Sequence, residues 1–298
     1  MGGLTGAERG FLLLTSHLGN PGRKPLTGRQ FWELMEHAQT KRPRDLSRDL
    51  DLADLRSMGY GYDQAQHILK LLDEESVLDW YLSRAQKAGI TPITRASKSY
   101  PAILRQRLGK DSPGCLWGRG DVSLLNTKAV ALVGSRDLRP ENRTFAEAVG
   151  RQAALQGLTL VSGNARGADR AAQDACLEAG GSVISVVPDS LIQHSARDRV
   201  LYLSELDHDM DFSSHRALSR NRVIHCLGYK TFVAQSTLGK GGTWDGTEKN
   251  LRYGWSEVYC YDDGSRAALE LIQIGAIAVD MADISDYCGL QSDHRLNI

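Results

Sequence analysis

The sequence has no excess of either charge and no long hydrophobic run. Lysine and arginine number 36, as do aspartate and glutamate, so the formal net charge at pH 7 is zero. Because no overall field attracts nucleic acid or membranes, an anion-binding site would have to be a local cluster of cations. The apolar run from Phe11 to Leu14 is too short for a signal peptide or a transmembrane helix. We therefore expect a cytoplasmic protein with no membrane partner.

Cysteine is scarce, and its spacing excludes several kinds of site. The number of cysteines is odd and none form a C-x-x-C pair, which favours reduced thiols over disulfides or structural zinc. They are Cys115, Cys176, Cys226, Cys260 and Cys288. The dinucleotide G-x-G-x-x-G and the Walker G-x-x-x-x-G-K motifs are both absent, which disfavours an NAD-dependent enzyme or a P-loop ATPase. We expect neither a metal nor a cofactor.

Residues 1–90 have the periodicity of helices. The stretch GRQFWELMEHAQT places Phe31, Leu34, Met35 and Ala38 on one helical face. The stretch DLADLRSMGYGYDQAQHILKLL contains two helical segments joined by a glycine turn. It resembles a helix-hairpin-helix or SAM-like unit, whose backbone N–H groups could hold a DNA phosphate. An αα-hairpin that only packs is the alternative, and we interpret the whole region as a helical N-terminal domain.

The character of the chain changes after this region. A segment with several prolines and glycines, residues 91–127, leads into residues 128–298, where apolar stretches such as AVALVG and LTLVSG alternate with helical stretches. Apolar strands that alternate with helices are typical of a parallel sheet covered on both faces. We predict an α/β protein with a Rossmann-like, doubly wound, mostly parallel sheet and an N-terminal helical domain.

Four loops of the predicted sheet carry residues suited to phosphate. In such sheets, ligands bind at the carboxyl ends of the strands. Glycines there let backbone N–H groups face an anion, helix N-termini add partial positive charge, and arginine offers a forked cation. The loops are LVGSRDLRPEN, LVSGNARGAD, SRNRVI and STLGKGGTWDGTEKNL. Their candidate ligand-binding residues are Gly134, Ser135, Arg136, Gly163, Arg166, Gly167, Arg220, Asn221, Arg222, Lys240, Gly241, Gly242 and Thr243.

Each loop taken alone also fits an ordinary turn with a solvated surface. Asp169 follows Arg166 in the first turn of a predicted helix, where a carboxylate stabilises the helix dipole or pairs with an arginine. The alanines of that helix predict close packing on the sheet. Because the loops meet at one edge, together they predict a phosphate-rich ligand, which is a nucleotide, a nucleic acid or a sugar phosphate.

The motifs, in this order and at these separations, resemble the DNA-processing protein A (DprA/Smf) family. They are ALVGSR, VSGNARGAD, SE and RNRVI, preceded by SYPAILRQ, which is similar to the family's lead-in. The resemblance covers about residues 90 to 236. It implies a Rossmann-like fold that binds single-stranded DNA without hydrolysing it, hands the DNA to the RecA recombinase and often forms a homodimer.

The same resemblance implies roles for individual residues. Arg136 and Arg166 would contact phosphates, and Arg220 and Arg222 would line the same pocket. The residues that would shape the pocket are Gly134, Ser135, Ser162, Gly163 and Gly167. Single-strand binding also uses aromatic platforms for the bases. The candidates for these platforms are Phe212, Trp244 and Tyr253.

One loop departs from that family and leaves other functions open. GGTWDGTEKN resembles the P-G-G-x-G-T-x-x-E loop of lysine-decarboxylase-like nucleotide hydrolases, which cleave the base from ribose 5-phosphate on a similar fold. That resemblance would give catalytic roles to Arg220 or Arg222 and to Glu248. A nucleotide sensor in stress or anti-phage defence, using the same pocket without catalysis, is a third hypothesis. The DprA family's Tyr-Pro loop and winged-helix domain are not found, which leaves RecA loading open.

Overall fold

The computed structural model describes residues 3–41 and 50–290. Parts of the predicted domains 1–90 and 128–298 therefore lie outside the described residues, and the division into domains stays a prediction. Within the described ranges, no helix is both long enough and apolar enough to cross a bilayer.

Helices precede the first strand, as the periodicity predicts. The first begins with a capping box, in which the Thr5 hydroxyl accepts from the Glu8 backbone N–H at 3.3 Å and the Glu8 carboxylate accepts from the Thr5 N–H at 2.9 Å. In the second helix Phe31 and Leu34 are buried, whereas Met35, predicted on the same face, is 39% exposed. The helices are α1 (Gly6–Thr15), α2 (Gly28–Lys41), α3 (Leu52–Ser57), α4 (Tyr62–Leu72) and α5 (Glu75–Lys87).

The described residues form one nine-stranded sheet. Its strands are β1 (Ile90–Thr94), β2 (Cys115–Gly120), β3 (Ala129–Val133), β4 (Thr159–Ser162), β5 (Ser182–Val186), β6 (Val200–Ser204), β7 (Lys230–Val233), β8 (Glu257–Tyr261) and β9 (Ile277–Val279). The spatial order is β1-β2-β6-β5-β4-β3-β7-β8-β9. Strands β3 to β9 run parallel to one another. At the edge formed by β6, β2 pairs antiparallel with β6 and β1 pairs antiparallel with β2.

Helices cover both faces of the sheet, so the predicted fold class is confirmed. The helices are α6 (Ala102–Leu108), α7 (Pro140–Leu155), α8 (Ala168–Glu178), α9 (Ser214–Ser219), α10 (Asn221–Leu227), α11 (Gly241–Tyr253) and α12 (Arg266–Gln273). Alternate residues of β3 enter different cores: Val130 and Leu132 pack with α7 and α8, whereas Ala131 and Val133 pack with α6, α10 and α12.

The order of the strands locates the place where a ligand binds. From β3 the chain moves outward through β4, β5 and β6, and it then returns to the other side of β3 as β7. The helices that follow β3 and β7 therefore lead away in opposite directions. In an open α/β sheet the crevice outside such a switch point is the usual ligand site.

One helix prediction is wrong. The pattern of SSHRALSRNRVIHCLG predicts one continuous helix, but the structure divides the stretch into α9 and α10. Arg220 ends the first helix and begins the second. Its N–H donates to the Arg216 carbonyl, while its own carbonyl accepts from Val223, a three-residue spacing that tightens the chain locally.

Candidate functional site

Two adjoining cavities follow the carboxyl edge of the sheet, and together we call them the groove. The first, of about 450 Å³, is lined by the loops after β3 and β7 and by α9. The second, of about 430 Å³, is lined by the loops after β4 and β5. Both have Arg136, Phe212 and Arg220 in their walls. Since neighbouring strands lie about 4.8 Å apart, four strands make this edge roughly 14 Å long.

Arg220 forms the floor of the groove. Its guanidinium is buried against Gly163, and its Nη2 donates to the Gly163 carbonyl oxygen at 3.1 Å. A Cβ at residue 163 would overlap the guanidinium, so the close approach requires glycine. Burial lowers the pKa of Arg220, and the carboxylates of Asp169 and Glu205 oppose this shift. Because arginine is not deprotonated in proteins, the floor carries a fixed positive charge.

Asp169 fastens the loop between β4 and α8. Its buried carboxylate accepts from the backbone N–H of Ala165 at 3.1 Å. Burial raises the pKa of Asp169, whereas Arg220 and the Ala165 N–H lower it. The carboxylate therefore orders the loop under the groove and balances part of the charge of Arg220.

The loops after β3 and β4 pack directly on each other. Gly167 has φ +90°, and a Cβ there would overlap the carbonyl oxygens of Ser135 and Arg136. The Ala168 N–H donates to the Ser135 carbonyl at 3.1 Å, and a Cβ at residue 134 would overlap the Cβ of Ala168. The two glycines thus allow two backbone segments to meet and hold the loops in one arrangement.

Two arginines lie exposed at the rim of the groove. Arg166 donates to the Asp137 carboxylate at 2.8 Å, but the two side chains are 76% and 88% exposed. Such a pair contributes about 0–1 kcal/mol, so Arg166 can exchange this partner for a phosphate at little cost. Arg136 makes no ion pair with any residue that the structure describes. Both guanidiniums are therefore available to an anion.

The glycine-rich loop after β7 closes the first cavity. Lys240, Gly241, Gly242 and Thr243 line it where α11 begins. The buried Asn221 donates from its side-chain amide to the Gly242 carbonyl at 2.9 Å and ties this loop to α10. The RNR motif thus positions the loop with its asparagine and supplies the floor with its first arginine.

Four predicted site residues do not line the groove as the described residues define it. One of them, Gly167, packs on the backbone of the loop after β3 instead. Arg222 points away and donates from Nη2 to the Glu205 carboxylate at 2.9 Å. Ser162 is buried beneath the loop and accepts from a glutamine amide of α8. Glu248 lies on α11, with its carboxylate 3.8 Å from the Arg252 guanidinium. The structure therefore does not assemble Arg222 and Glu248 with Arg220.

The three aromatic candidates have different surroundings. Phe212 is 54% exposed and lines both cavities. Trp244 packs against the core, and Tyr253 stacks on Trp255 with ring centroids 5.5 Å apart. Phe212 is thus the candidate that a base in the groove can reach.

Sequence reasoning missed one wall of the groove. Ser214, Ala217 and Leu218 of α9 line the first cavity. Their position just before the RNRVI motif is the signal that could have identified them.

Together the fold and the groove define a Rossmann-like protein with its ligand crevice at the switch point of the sheet. The family model of DNA recombination-mediator protein A matches residues 91–288. The chain belongs to this family, as the motifs predict.

Curated relatives agree with this assignment. Protein Smf of Escherichia coli is 28% identical over 205 residues, which cover 64% of this chain and 53% of that protein. DNA processing protein DprA of Streptococcus pneumoniae is 31% identical over 145 residues, which cover 44% of this chain and 50% of that protein. The chain thus spans about half the length of these relatives.

Solved structures show the same fold. That of S. pneumoniae DprA has a TM-score of 0.68 at 24% identity, with 90% of this chain and 94% of that chain covered. That of DNA processing protein A from Helicobacter pylori, described for its single-stranded DNA binding mode, has a TM-score of 0.55 at 25% identity. It covers 66% of this chain and 94% of that chain.

Proposed function

We propose that the chain binds single-stranded DNA along the groove, without cleaving it, as part of DNA processing or recombination in the cytoplasm. The observation that carries the proposal is the alignment of Arg136, Arg166 and Arg220 with Phe212 along one carboxyl edge. Membership of the recombination-mediator family and the DNA-binding H. pylori relative support it.

The chemistry of the groove suits a strand of any sequence. Exposed arginines neutralise successive phosphates, the buried Arg220 adds a charge that cannot move away, and Phe212 offers a face on which a base can stack. These contacts are to phosphates and to the face of a base, and neither kind of contact carries sequence information. The proposal is therefore sequence-neutral binding.

The shape of the groove favours a strand over a single nucleotide. Two cavities of similar volume lie in series on either side of Arg220, so the site extends along four strands instead of enclosing one ligand. The residues that hydrolysis of a nucleotide would require are apart, since Glu248 pairs with Arg252 and Arg222 pairs with Glu205. These positions favour binding of a strand over hydrolysis of a nucleotide.

Binding of labelled oligo-dT over a salt series tests the proposal. The Arg136→Ala, Arg166→Ala variant loses two phosphate contacts and should bind with lower affinity. The slope of log K against log salt should become less steep by about 1.4, at about 0.7 per contact. The Lys128→Ala, Arg252→Ala variant loses the same charge at the amino edge of the sheet and should bind like wild type. Equal binding by both variants would refute the proposal.

Two finer proposals follow from the family resemblance. Bound DNA would be handed to the RecA recombinase, and the working form would be a homodimer. Faster RecA filament growth on strands coated with single-strand-binding protein would support the first, and the mass in sedimentation equilibrium tests the second. The sensor hypothesis instead predicts a nucleotide that co-purifies with the protein, which native mass spectrometry would detect.

A further inference from the structure

A third cavity, of about 520 Å³, lies between α7 and α8, and we call it the furrow. Arg166 lines both the furrow and the second cavity of the groove. The two depressions therefore meet at one side chain, on the edge where the loop from β4 turns into α8. From there the furrow continues along α7 and α8.

The charges in the furrow are unevenly distributed. Arg143 and Arg170 lie in the first turns of α7 and α8, which places them with Arg166 at the end that meets the groove. Glu147 and Asp174 come four residues later, about 6 Å further along each helix. The chain as a whole has no net charge. The upper end of the furrow is thus a local cationic cluster. Beyond it the acids Glu147, Asp174 and Glu178 outnumber the one arginine, Arg151.

These arginines are free to bind an anion. Arg143 and Arg170 are exposed and form no ion pair with any residue in the part of the chain that the structure describes. Asp174, four residues after Arg170 on α8, lies 3.8 Å from the Arg197 guanidinium instead. Exposed guanidiniums without carboxylate partners are well suited to phosphate.

We propose that a bound single strand leaves the groove at Arg166 and enters the furrow, where Arg143 and Arg170 contact its phosphates. This inference rests on the proposed function and adds a second segment to the DNA path. Arg166 belongs to both segments, so no gap separates them. Because Glu147 and Asp174 repel phosphates beyond the first turns, the added segment holds only a few nucleotides.

The length dependence of binding tests this path. Oligo-dT of about four nucleotides spans the groove at about 3.4 Å per nucleotide, whereas about twenty nucleotides also reach the furrow. The Arg143→Ala, Arg170→Ala variant should bind the short strand like wild type. With the long strand, the slope of log K against log salt for this variant should become less steep by about 1.4, which corresponds to two phosphate contacts. The Arg143→Lys, Arg170→Lys variant keeps the charges and should retain most of the long-strand slope.

The outcomes separate the path from the proposed function. If wild type binds both strands and the alanine variant matches it on the long one, the furrow carries no DNA and the groove proposal stands. An equal loss on both strands would place these arginines in the groove and overturn the separate segment. If wild type binds neither strand, both proposals are wrong. The Lys128→Ala, Arg252→Ala variant again controls for charge.

Discussion

The guanidinium of Arg220 lies directly on the Cα of Gly163, and it donates to the carbonyl of that glycine at 3.1 Å. This contact joins the helix break of the RNR motif to the loop after β4. The contact places a buried cation at the floor of the groove, whereas Arg136 and Arg166 lie exposed at its rim. The absence of a side chain at residue 163 therefore determines where the fixed charge of the site lies.

Gly163→Ala should displace Arg220 and weaken binding of oligo-dT. The added Cβ overlaps the guanidinium, and overpacking of this kind costs about 1–3 kcal/mol of folding free energy. Adding Arg220→Ala removes the overlap but leaves the buried Asp169 carboxylate without its cation. Gly163→Ala should therefore cost no further stability in the Arg220→Ala background, and DNA binding should stay weak. Urea unfolding and oligo-dT titration of the single and double variants measure both effects. Full affinity in Gly163→Ala would contradict the role of Arg220.

Phe212→Ala should weaken binding of oligo-dT by about 1–3 kcal/mol, the usual contribution of one base stacked on an aromatic ring. Phe212→Trp should retain most of the affinity because it keeps an aromatic face at the groove. Tyr253→Ala is the matched control, since Tyr253 is 63% exposed, compared with 54% for Phe212, and stacks on Trp255 outside the groove. Fluorescence anisotropy should separate the two alanine variants, and equal affinities would exclude stacking on Phe212.

Asp137→Asn should strengthen binding. The change frees Arg166 from its carboxylate partner and removes a negative charge beside the DNA phosphates. Since the ion pair is exposed, its loss should change the free energy of unfolding by less than about 1 kcal/mol. Asp198→Asn removes an equally exposed carboxylate, the partner of Arg199 at the amino edge, and should not change affinity. Weaker binding by Asp137→Asn would show that the pair positions Arg166 instead of competing with DNA.

The protein should lose stability on mild acidification because of His225. This ring is buried beside Asn250, and burial, together with the charge of Arg220, lowers the pKa of His225 from 6.5 to about 3. Below pH 6.5 the histidine is protonated in the unfolded chain but stays neutral in the folded chain. The free energy of unfolding should therefore decrease by about 1.4 kcal/mol per pH unit from this residue, down to about pH 3. Denaturant unfolding of wild type and His225→Asn should be compared over roughly pH 5 to 7.5, where histidine titrates. The free energy of unfolding should depend less steeply on pH in the variant. An unchanged slope would contradict the assignment.

Nucleoside monophosphates should not be cleaved. Glu248 lies outside the groove near Arg252, so no carboxylate of α11 is placed beside Arg220 to assist departure of a base. Chromatography should find no free base above the buffer control, and Glu248→Gln should behave like wild type. Release of base that Glu248→Gln abolishes would revive the hydrolase hypothesis.

The sheet and the meeting of the loops were predictable from the sequence because they follow from local patterns. Alternating apolar strands and helices imply a parallel sheet, and a parallel sheet brings its carboxyl-end loops to one edge. The placement of β1 and β2 was not predictable in this way. Strand β2 pairs antiparallel with β6, and the paired residues are about eighty positions apart in the sequence. A local pattern in a proline-containing segment does not predict so distant a partner.

The directions of individual side chains in the site were also beyond sequence patterns. Arg220 and Arg222 are two residues apart and therefore face different sides, but the spacing does not say that Arg220 reaches the groove and Arg222 reaches Glu205. Phe212 reaches the groove from the segment between β6 and α9, which has no periodicity to orient it. Such placements depend on tertiary contacts, including the space that Gly163 leaves for Arg220.

Photocrosslinking tests the central claim, that a single strand lies in the groove, most directly. Oligo-dT carrying 5-iodouracil at successive positions would be irradiated with the protein, and the linked residues identified by mass spectrometry. The account predicts links to Phe212 and to its neighbours in the groove. Links confined to the helical hairpin of residues 52–72, where a glycine turn also predicts a phosphate contact, would contradict it.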